Sequence, residues 1–402
     1  MRRGAPRPAV RRGGSILAPI SAALALALVV VPGGAASAGA STPKHRAPPP
    51  VVAVGQPAPP SMYSATGVSC GDVRHCWAVG FGNGSAAAID ATTNGGTTWN
   101  AQVVPTSVSV LAAVSCPDKL DCLAVGSAGA TGAVVATTDG GAVWTLGQDP
   151  AGAAAVTGID CTSKRHCMAL ATDGTTYWSS VSTDGGLTWV RGGDLPAGMT
   201  APGGLTCPSA VLCLVAGYVP TGPGQGAGAI ATTVDGGGAW TAATLPAGVG
   251  ILRGLSCAGA TCLAAGTSST ATTGFVPGSG QLLTSADGGT TWQVFDGPVI
   301  HDDAFSASCP DAKTCVVVGT DWVGRTQPIP TGSITATLDA GVQWRSADLR
   351  FVPVAMASVA CPAVNRCVAA GGNVLVHLSL PVTPPVRKPK VAPGTRAGAQ
   401  VR

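Results

Sequence analysis

Residues 137–144 read Thr137-Thr138-Asp139-Gly140-Gly141-Ala142-Val143-Trp144, and this stretch decides how the chain is parsed. The phrase Thr/Ser-x-Asp-Gly-Gly-x-x-Trp occurs six times, at 92–99, 137–144, 182–189, 233–240, 285–292 and 337–344. A fixed internal period marks a repeat architecture, in which each unit buries its apolar face only against the next. Two copies depart from the pattern: Asn94 replaces the aspartate in the first, and Ala340 replaces the first glycine in the last. Asn also forms side-chain-capped turns, so the first change is neutral. Ala340 is expected to strain its turn, because glycine takes positive φ without steric cost.

Working outward from residues 137–144, short apolar runs flank the turn. Residues 111–116, 122–126, 133–138 and 143–146 read as four strands, with turns at 117–121 and 139–141. Asp-Gly between Val/Thr-rich runs is a strong hairpin signal. Four antiparallel strands in about 45 residues make one blade of a β-propeller. Composition agrees: Gly 57, Pro 32, charged residues 10%, and no glutamate at all, so every acidic residue is an aspartate. Asp favours turns and caps, whereas Glu favours helices.

Cysteines count the blades. All 14 fall into seven close pairs: Cys70/Cys76, Cys116/Cys122, Cys161/Cys167, Cys207/Cys213, Cys257/Cys262, Cys309/Cys315 and Cys361/Cys367. Even number and regular spacing imply disulfides in an oxidising compartment. Connectivity is not deducible from sequence in the strict sense, but the repeats favour local pairing, one stapled hairpin per blade. The rival is metal binding, yet only Cys257/Cys262 has zinc-like spacing and it lacks a second pair nearby. The fold class read from the chain is therefore all-β, a seven-bladed β-propeller of four-stranded antiparallel blades.

The seventh repeat stops after three strands, at 357–361, 367–370 and 373–380. Val54-Gly55-Gln56 resembles Leu146-Gly147-Gln148 at the end of a fourth strand. Residues 51–56 are thus expected to pair with 373–380 and close the ring, which hides sheet edges.

The repeated phrase resembles the Asp box, or bacterial neuraminidase repeat, of sialidases, sortilin ectodomains and seven-bladed photosystem II assembly factors. The resemblance covers about residues 51–380 and implies fold rather than activity. It places the phrase in the turn between the third and fourth strands, away from the usual ligand face. Asn94, Asp139, Asp184, Asp235, Asp287 and Asp339 are accordingly expected to cap turns. Trp99, Trp144, Trp189, Trp240, Trp292 and Trp344 are expected to pack between blades.

Sialidase-like glycoside hydrolysis is the enzymatic alternative that the resemblance implies. That chemistry needs an arginine cluster, a tyrosine nucleophile and an activating glutamate. The chain has no glutamate, no Arg-Ile-Pro-like motif before the first copy, and only Tyr63, Tyr177 and Tyr218. No Gly-x-Ser-x-Gly elbow occurs either. No catalytic residue and no cofactor is expected. The leading reading is a secreted, non-catalytic, monomeric scaffold that binds a protein or a glycan at the cell envelope.

In four-stranded blades the cysteine hairpins and the repeated turns share one face. The other face carries the blade links and the second-to-third connections, which are longer at 217–228, 266–280 and 319–332. Binding residues concentrate on such segments. Ile300-His301-Asp302-Asp303 and Asp321-Trp322-Val323-Gly324-Arg325 are the leading candidates there, with Tyr218, Phe275, Arg253 and Arg350 as candidate neighbours. The plainer reading is ordinary polar loop. His301 with the two aspartates is the nearest approach to a metal set, and no metal is expected.

The ends of the chain differ from its middle. Residues 1–38 hold five arginines, an apolar run at 15–31 and Ala36-Ser37-Ala38, and read as a signal peptide. Secretory export is favoured over a twin-arginine route, and retention as an anchor stays open. Residues 39–50 read as a flexible Pro-rich linker, 51–380 as the propeller and 381–402 as a basic, Pro-rich, disordered tail. Within 51–380 stand 11 basic residues against 19 aspartates, a net of −8, although the whole chain is +4. An acidic body argues against nucleic acid as partner.

Overall fold

The computed structural model describes residues 51–84, 86–270, 279–295, 302–323, 329–347, 349 and 354–381. The chain separates into two units, Met1–Ala47 and Pro48–Arg402, and every described residue belongs to the second. The signal segment, the linker and the tail beyond Pro381 lie outside the described residues.

Seven four-stranded antiparallel sheets form the second unit, with no helix among the described residues. The chain is a seven-bladed β-propeller. The innermost strands are Met62–Cys70, Val110–Ser115, Ala155–Cys161, Thr200–Thr206, Leu252–Ala258, Asp303–Ser308 and Ser358–Ala363. In six blades the order runs inward to outward in sequence, and in the seventh the outermost strand is Val52–Pro57. It pairs with Val374–Ser379, Val52 opposite Ser379 and Pro57 opposite Val374, and closes the ring as expected. The register differs by one residue from the sequence match. Gly55 faces Val376 as Leu146 faces Val135, so Gln56, not Gly55, stands where Gly147 does.

All seven cysteine pairs are disulfides within their own hairpins: Cys70–Cys76, Cys116–Cys122, Cys161–Cys167, Cys207–Cys213, Cys257–Cys262, Cys309–Cys315 and Cys361–Cys367. In blade 7 the sequence places the second strand at 367–370. The strand in fact runs Arg366–Gly371, and Ala363 pairs with Arg366 beyond the disulfide. The register shifts between Ala360 and Ala363, so Cys367 faces two residues, Cys361 and Pro362, where Cys161 and Cys167 face one another alone. The bulge absorbs the extra residue, and the added pairing satisfies backbone groups that an open turn leaves to water.

The repeated turns dock onto the cysteine hairpins. The amide of the first glycine donates to a hairpin carbonyl of the same blade, as Gly140 N–H does to Leu120 at 2.9 Å and Gly288 N–H to Ala260 at 2.8 Å. Within each turn the Thr or Ser hydroxyl donates to the aspartate two residues on and accepts the amide four residues on. Thr137 shows this at 2.8 Å to Asp139 and 2.9 Å from Gly141. The carboxylate then accepts a further amide, Val143 N–H at 3.0 Å. Asn94 makes the same contacts, accepting from Thr92 and from Thr98 N–H, each at 2.9 Å.

The second glycine of four turns, Gly141, Gly186, Gly237 and Gly289, lets neighbouring blades approach. A Cβ on Gly186 would lie 2.2 Å from Leu123 Cδ2 of the preceding blade. Ala340 does adopt positive φ, +60°. Left-handed backbone costs a Cβ-bearing residue about 1–2 kcal/mol, offset in part by alanine's smaller entropy in the unfolded chain. Ala340→Gly is therefore expected to stabilise by about 0.5–1 kcal/mol, seen as a higher denaturant midpoint at unchanged slope.

Seven buried clusters fill the seven blade interfaces. Trp99, Trp144, Trp189, Trp240, Trp292 and Trp344 each join the cluster between their own blade and the one before. The interface of blades 6 and 7 has no such tryptophan and is filled by aliphatic residues, including Val51, Ile334, Met356 and Leu378, with Cys367 buried among them.

A polar belt adds to this packing. The residue just before the first cysteine of one blade accepts the cysteine amide of the next. Ser69 accepts from Cys116, Ser115 from Cys161, Ser256 from Cys309 and Ser308 from Cys361, at 2.9–3.0 Å. Asp160 does the same for Cys207 at 2.7 Å.

Candidate functional site

The hairpin face has little free chemistry. No cysteine is free among the described residues, from Cys70 in blade 1 to Cys367 in blade 7, so no thiol is on offer there. Its repeated aspartates are committed to their turns. Hydrogen bonds led by the Thr188 and Thr291 side chains hold Asp184 and Asp287 down at about 2. Such carboxylates stay ionised and satisfied, which suits capping and not proton transfer. A shallow cleft of about 510 Å3 between blades 2 and 3 is lined partly by Asp139 and Asp184 with Lys164 and Arg165.

The axial channel differs from that face. It encloses about 210 Å3 and takes its walls from the innermost strands of all seven blades. Each blade lines it with three consecutive residues, and the first of these, four positions before the first cysteine, is Thr66, Ala112, Thr157, Gly203, Arg253, Phe305 or Ala357. Five of the blades have a β-bulge or one-residue register shift there, at 65/67, 111/113, 156/158, 252/254 and 304/306. A bulge leaves its extra residue unpaired and re-aims its side chain. Blades 1 to 4 and 7 present small residues at this level, while blades 5 and 6 present Arg253 and Phe305. Arg253 is the one charged residue of the lining among the described residues.

Arg253 is held from two sides. Its guanidinium carbon lies 5.3 Å from the centroid of the Phe305 ring. Its Nη2 lies 3.5 Å from Asp303 Oδ2. Burial pushes the Asp303 carboxyl above its usual range, against the opposing pull of Arg253. Asp303 Oδ1 is buried without a hydrogen-bond partner.

A second set joins this one in blade 6. Asp302 N–H donates to Asp321 Oδ1 at 3.1 Å, and Trp322 N–H donates to Asp302 Oδ2 at 2.7 Å. The structure therefore brings Asp302, Asp303, Asp321, Trp322 and Arg253 together across blades 5 and 6. Tyr218 sits in the second strand of blade 4, with its ring against Gly226. His301, Phe275, Arg325 and Arg350 lie outside the described residues. No cluster of three or more His, Cys or Asp residues suited to a metal occurs among the described residues.

Two expected loops are in fact strand. In blade 4, Cys213–Gly222 and Gln225–Thr233 stay paired down to Gly222 opposite Gln225. In blade 6, Cys315–Val323 and Ile329–Thr337 pair down to Val323 opposite Ile329. Extending the ladder satisfies backbone groups that an open loop would leave to water. Asp321 and Trp322 consequently sit on a ladder, not a free loop, and are held more rigidly than their sequence context suggested.

Two acids outside the channel are raised by burial, Asp160 of the belt to about 6 and, more strongly, Asp90. Asp90 occupies the third strand of blade 1, at the position held by Val135, Ser180, Ala231, Leu283, Thr335 and Val376 in the others. Burial pushes its pKa up to about 7, opposed by the Ser61 hydroxyl 3.4 Å away. The folded state thus binds this proton more tightly than the unfolded chain. The stability so gained is fully present below the ordinary value of 3.8 and is lost as pH rises through about 7. Asp90→Asn is expected to be more stable than wild type near pH 8, by on the order of 2–4 kcal/mol. The advantage shrinks towards about pH 4, as urea unfolding across pH will show.

No protein-family model matches the chain, and no curated protein matches it in sequence. Solved structures match in fold. YCF48 bound to D1 peptide superposes with TM-score 0.58 at 15% identity, covering 83% of this chain and 97% of that one. Virginiamycin B lyase from Staphylococcus aureus gives 0.58 at 12%, covering 82% and 99%. The GH74 xyloglucanase from Xanthomonas campestris gives 0.56 at 14%, covering 81% of this chain and 53% of that one. These neighbours include a peptide-bound protein and two enzymes, so the likeness fixes architecture and leaves activity to the site.

Phe305 and the small residues of the ring were missed in the sequence reading. Their signal is positional: the steps from Thr66 to Ala357 repeat those of the first cysteines.

Proposed function

We propose that this chain is an exported, non-catalytic propeller that binds a protein partner at the cell envelope through the channel mouth and the blade 5–6 side of its blade-link face. The observation that carries this reading is the asymmetry of the ring. Arg253, Asp303, Phe305, Asp302, Asp321 and Trp322 gather on two adjacent blades, while the other five line the channel with small residues. Arg and aromatic side chains on a rigid frame are the usual anchors of interfaces. YCF48, a propeller of the same architecture, has been solved with a peptide bound. Seven disulfides support an extracellular setting. Against catalysis stands the engagement of the carboxylates at the mouth, Asp303 by Arg253 and Asp302 and Asp321 by backbone amides. Glycoside cleavage by paired carboxylates needs two of them facing the substrate.

Capture from cell-envelope extracts by wild type and by Arg253→Ala/Trp322→Ala tests the reading. A species retained by wild type and lost with the double variant is expected. Equal capture by both, or turnover of a fluorogenic glycoside by the purified protein, overturns it.

A further inference from the structure

We propose that the channel mouth at blades 5 and 6 is a binding site for a single carboxylate group of a small acid, anchored on Arg253 and positioned by Phe305 and Asp303. This goes beyond the proposed protein-binding role and rests on the channel mouth being the binding end.

Arg253 has donors to spare. A guanidinium carries five N–H donors, yet this one makes no hydrogen bond among the described residues. Its ion pair to Asp303, at 3.5 Å, is longer than a charge-assisted hydrogen bond of about 2.7–2.9 Å. The side chain keeps 30% of its surface exposed while lining the channel. Phe305 steers it without consuming donors, since a cation over a ring face is held electrostatically. Two parallel N–H groups therefore remain for a bidentate carboxylate.

Charge and volume narrow the ligand. One cation beside a carboxylate suits a monoanion and not a phosphate dianion. A volume of about 210 Å3 is below the range of drug-sized pockets, roughly 300–1,000 Å3, so the ligand is small. Thr66, Ala112, Thr157 and Gly203 leave the lumen across from Arg253 open.

Asp303 adds a pH dependence. Its Oδ1 is buried without a partner. When protonated, that carboxyl ceases to compete with a bound anion for Arg253. The ionisable groups about it are Arg253 on the adjacent inner strand, Asp302 next in sequence and Asp321 on the paired strand. The other strands against it, Thr261–Thr267, Gly280–Ser285 and Ser358–Ala363, bring no titrating group. Binding therefore tightens as pH falls, provided the ligand stays ionised.

Benzoate is the probe, with benzamide as its neutral counterpart, titrated into the full chain and followed by backbone amide shifts. Benzoate is expected to bind at least about tenfold more tightly than benzamide. Arg253→Gln should remove that preference and Arg253→Lys retain part of it. Asp303→Asn should keep benzoate binding and lose its pH dependence. Equal binding of benzoate and benzamide, or an unchanged preference in a folded Arg253→Gln protein, overturns the carboxylate site. Partner capture that survives while benzoate fails to bind sinks this inference alone; loss of capture by the double variant with benzoate bound normally by wild type leaves both standing.

Discussion

Complete reduction of the disulfides is expected to unfold the ring. Each bridge closes a hairpin with a sequence separation of 5 or 6 residues. Closing so short a loop contributes about 2 kcal/mol in the chain-entropy treatment. Seven such hairpins together contribute on the order of 10 kcal/mol, comparable to the whole stability of an ordinary domain. Access decides the kinetics. The second cysteine of every pair is buried, Cys76, Cys122, Cys167 and Cys262 completely and Cys213 and Cys367 nearly so. Both cysteines are buried in the pairs of blades 2, 3 and 6, whereas Cys70, Cys207, Cys257 and Cys361 are half-buried, so dithiothreitol alone should reduce four bridges first and need urea to reach the other three rapidly. Far-UV circular dichroism should lose its β signal in step with thiol titration. A fully reduced chain with an unchanged melting temperature contradicts this account.

Removal of the outermost strand of blade 7 is expected to be the most damaging small deletion. Val52–Pro57 covers the whole exposed edge of Val374–Ser379, and Ala58 N–H continues the contact to Asn373 O at 2.7 Å. Val51 adds its buried side chain to the interface of blades 6 and 7, which has no tryptophan to compensate. A chain starting at Ala58 should lose about 4–6 kcal/mol relative to one starting at Val51. Its melting temperature should fall by about 5 °C or more. The bared edge is a template for other strands, so association should appear in size-exclusion chromatography. A synthetic peptide of residues 51–57 supplied in trans should restore both properties. Equal melting of the two chains would show that ring closure does not depend on this strand.

The repeat and the cysteines made nearly all of the fold legible. Both are local signals: a turn that needs Asp-Gly-Gly, and a hairpin whose ends are close enough to bridge. Ring closure was legible too, because the missing fourth strand of the last repeat had to come from somewhere. Its register was not, since Val54-Gly55-Gln56 matches Leu146-Gly147-Gln148 by composition while the ladder is set by side-chain facing. The bulge opposite Cys367 was hidden for a similar reason: the spacing of Cys361 and Cys367 equals that of five other pairs, and spacing does not say which backbone groups pair. The connections of blades 4 and 6 looked like loops because Gly, Pro and Thr are common in them. They are strand because the partner segment happens to continue the pairing, which no single segment reveals.

The candidate site was half legible. Asp302, Asp303, Asp321 and Trp322 were singled out as charged and aromatic residues in variable segments, and the structure links Asp302, Asp321 and Trp322 by two hydrogen bonds from backbone amides. Phe305 escaped notice because it looks like an ordinary strand residue in Asp303–Ser308. Only the bulge between Ala304 and Ser306 turns it towards the channel. Arg253 reads in sequence as a neighbour of that set, and the structure puts it in the channel lining against Phe305 and Asp303.

What the sequence determined by itself is therefore the blade, its staple, the count of blades and the face on which the repeated turns lie. These follow from short-range constraints on φ, on hairpin closure and on apolar alternation. What only the tertiary structure decided is which side chains meet across blades. Thr66, Arg253 and Phe305 are separated by scores of residues, and their convergence depends on seven sheets being packed round one axis, with a bulge at the same level in most of them.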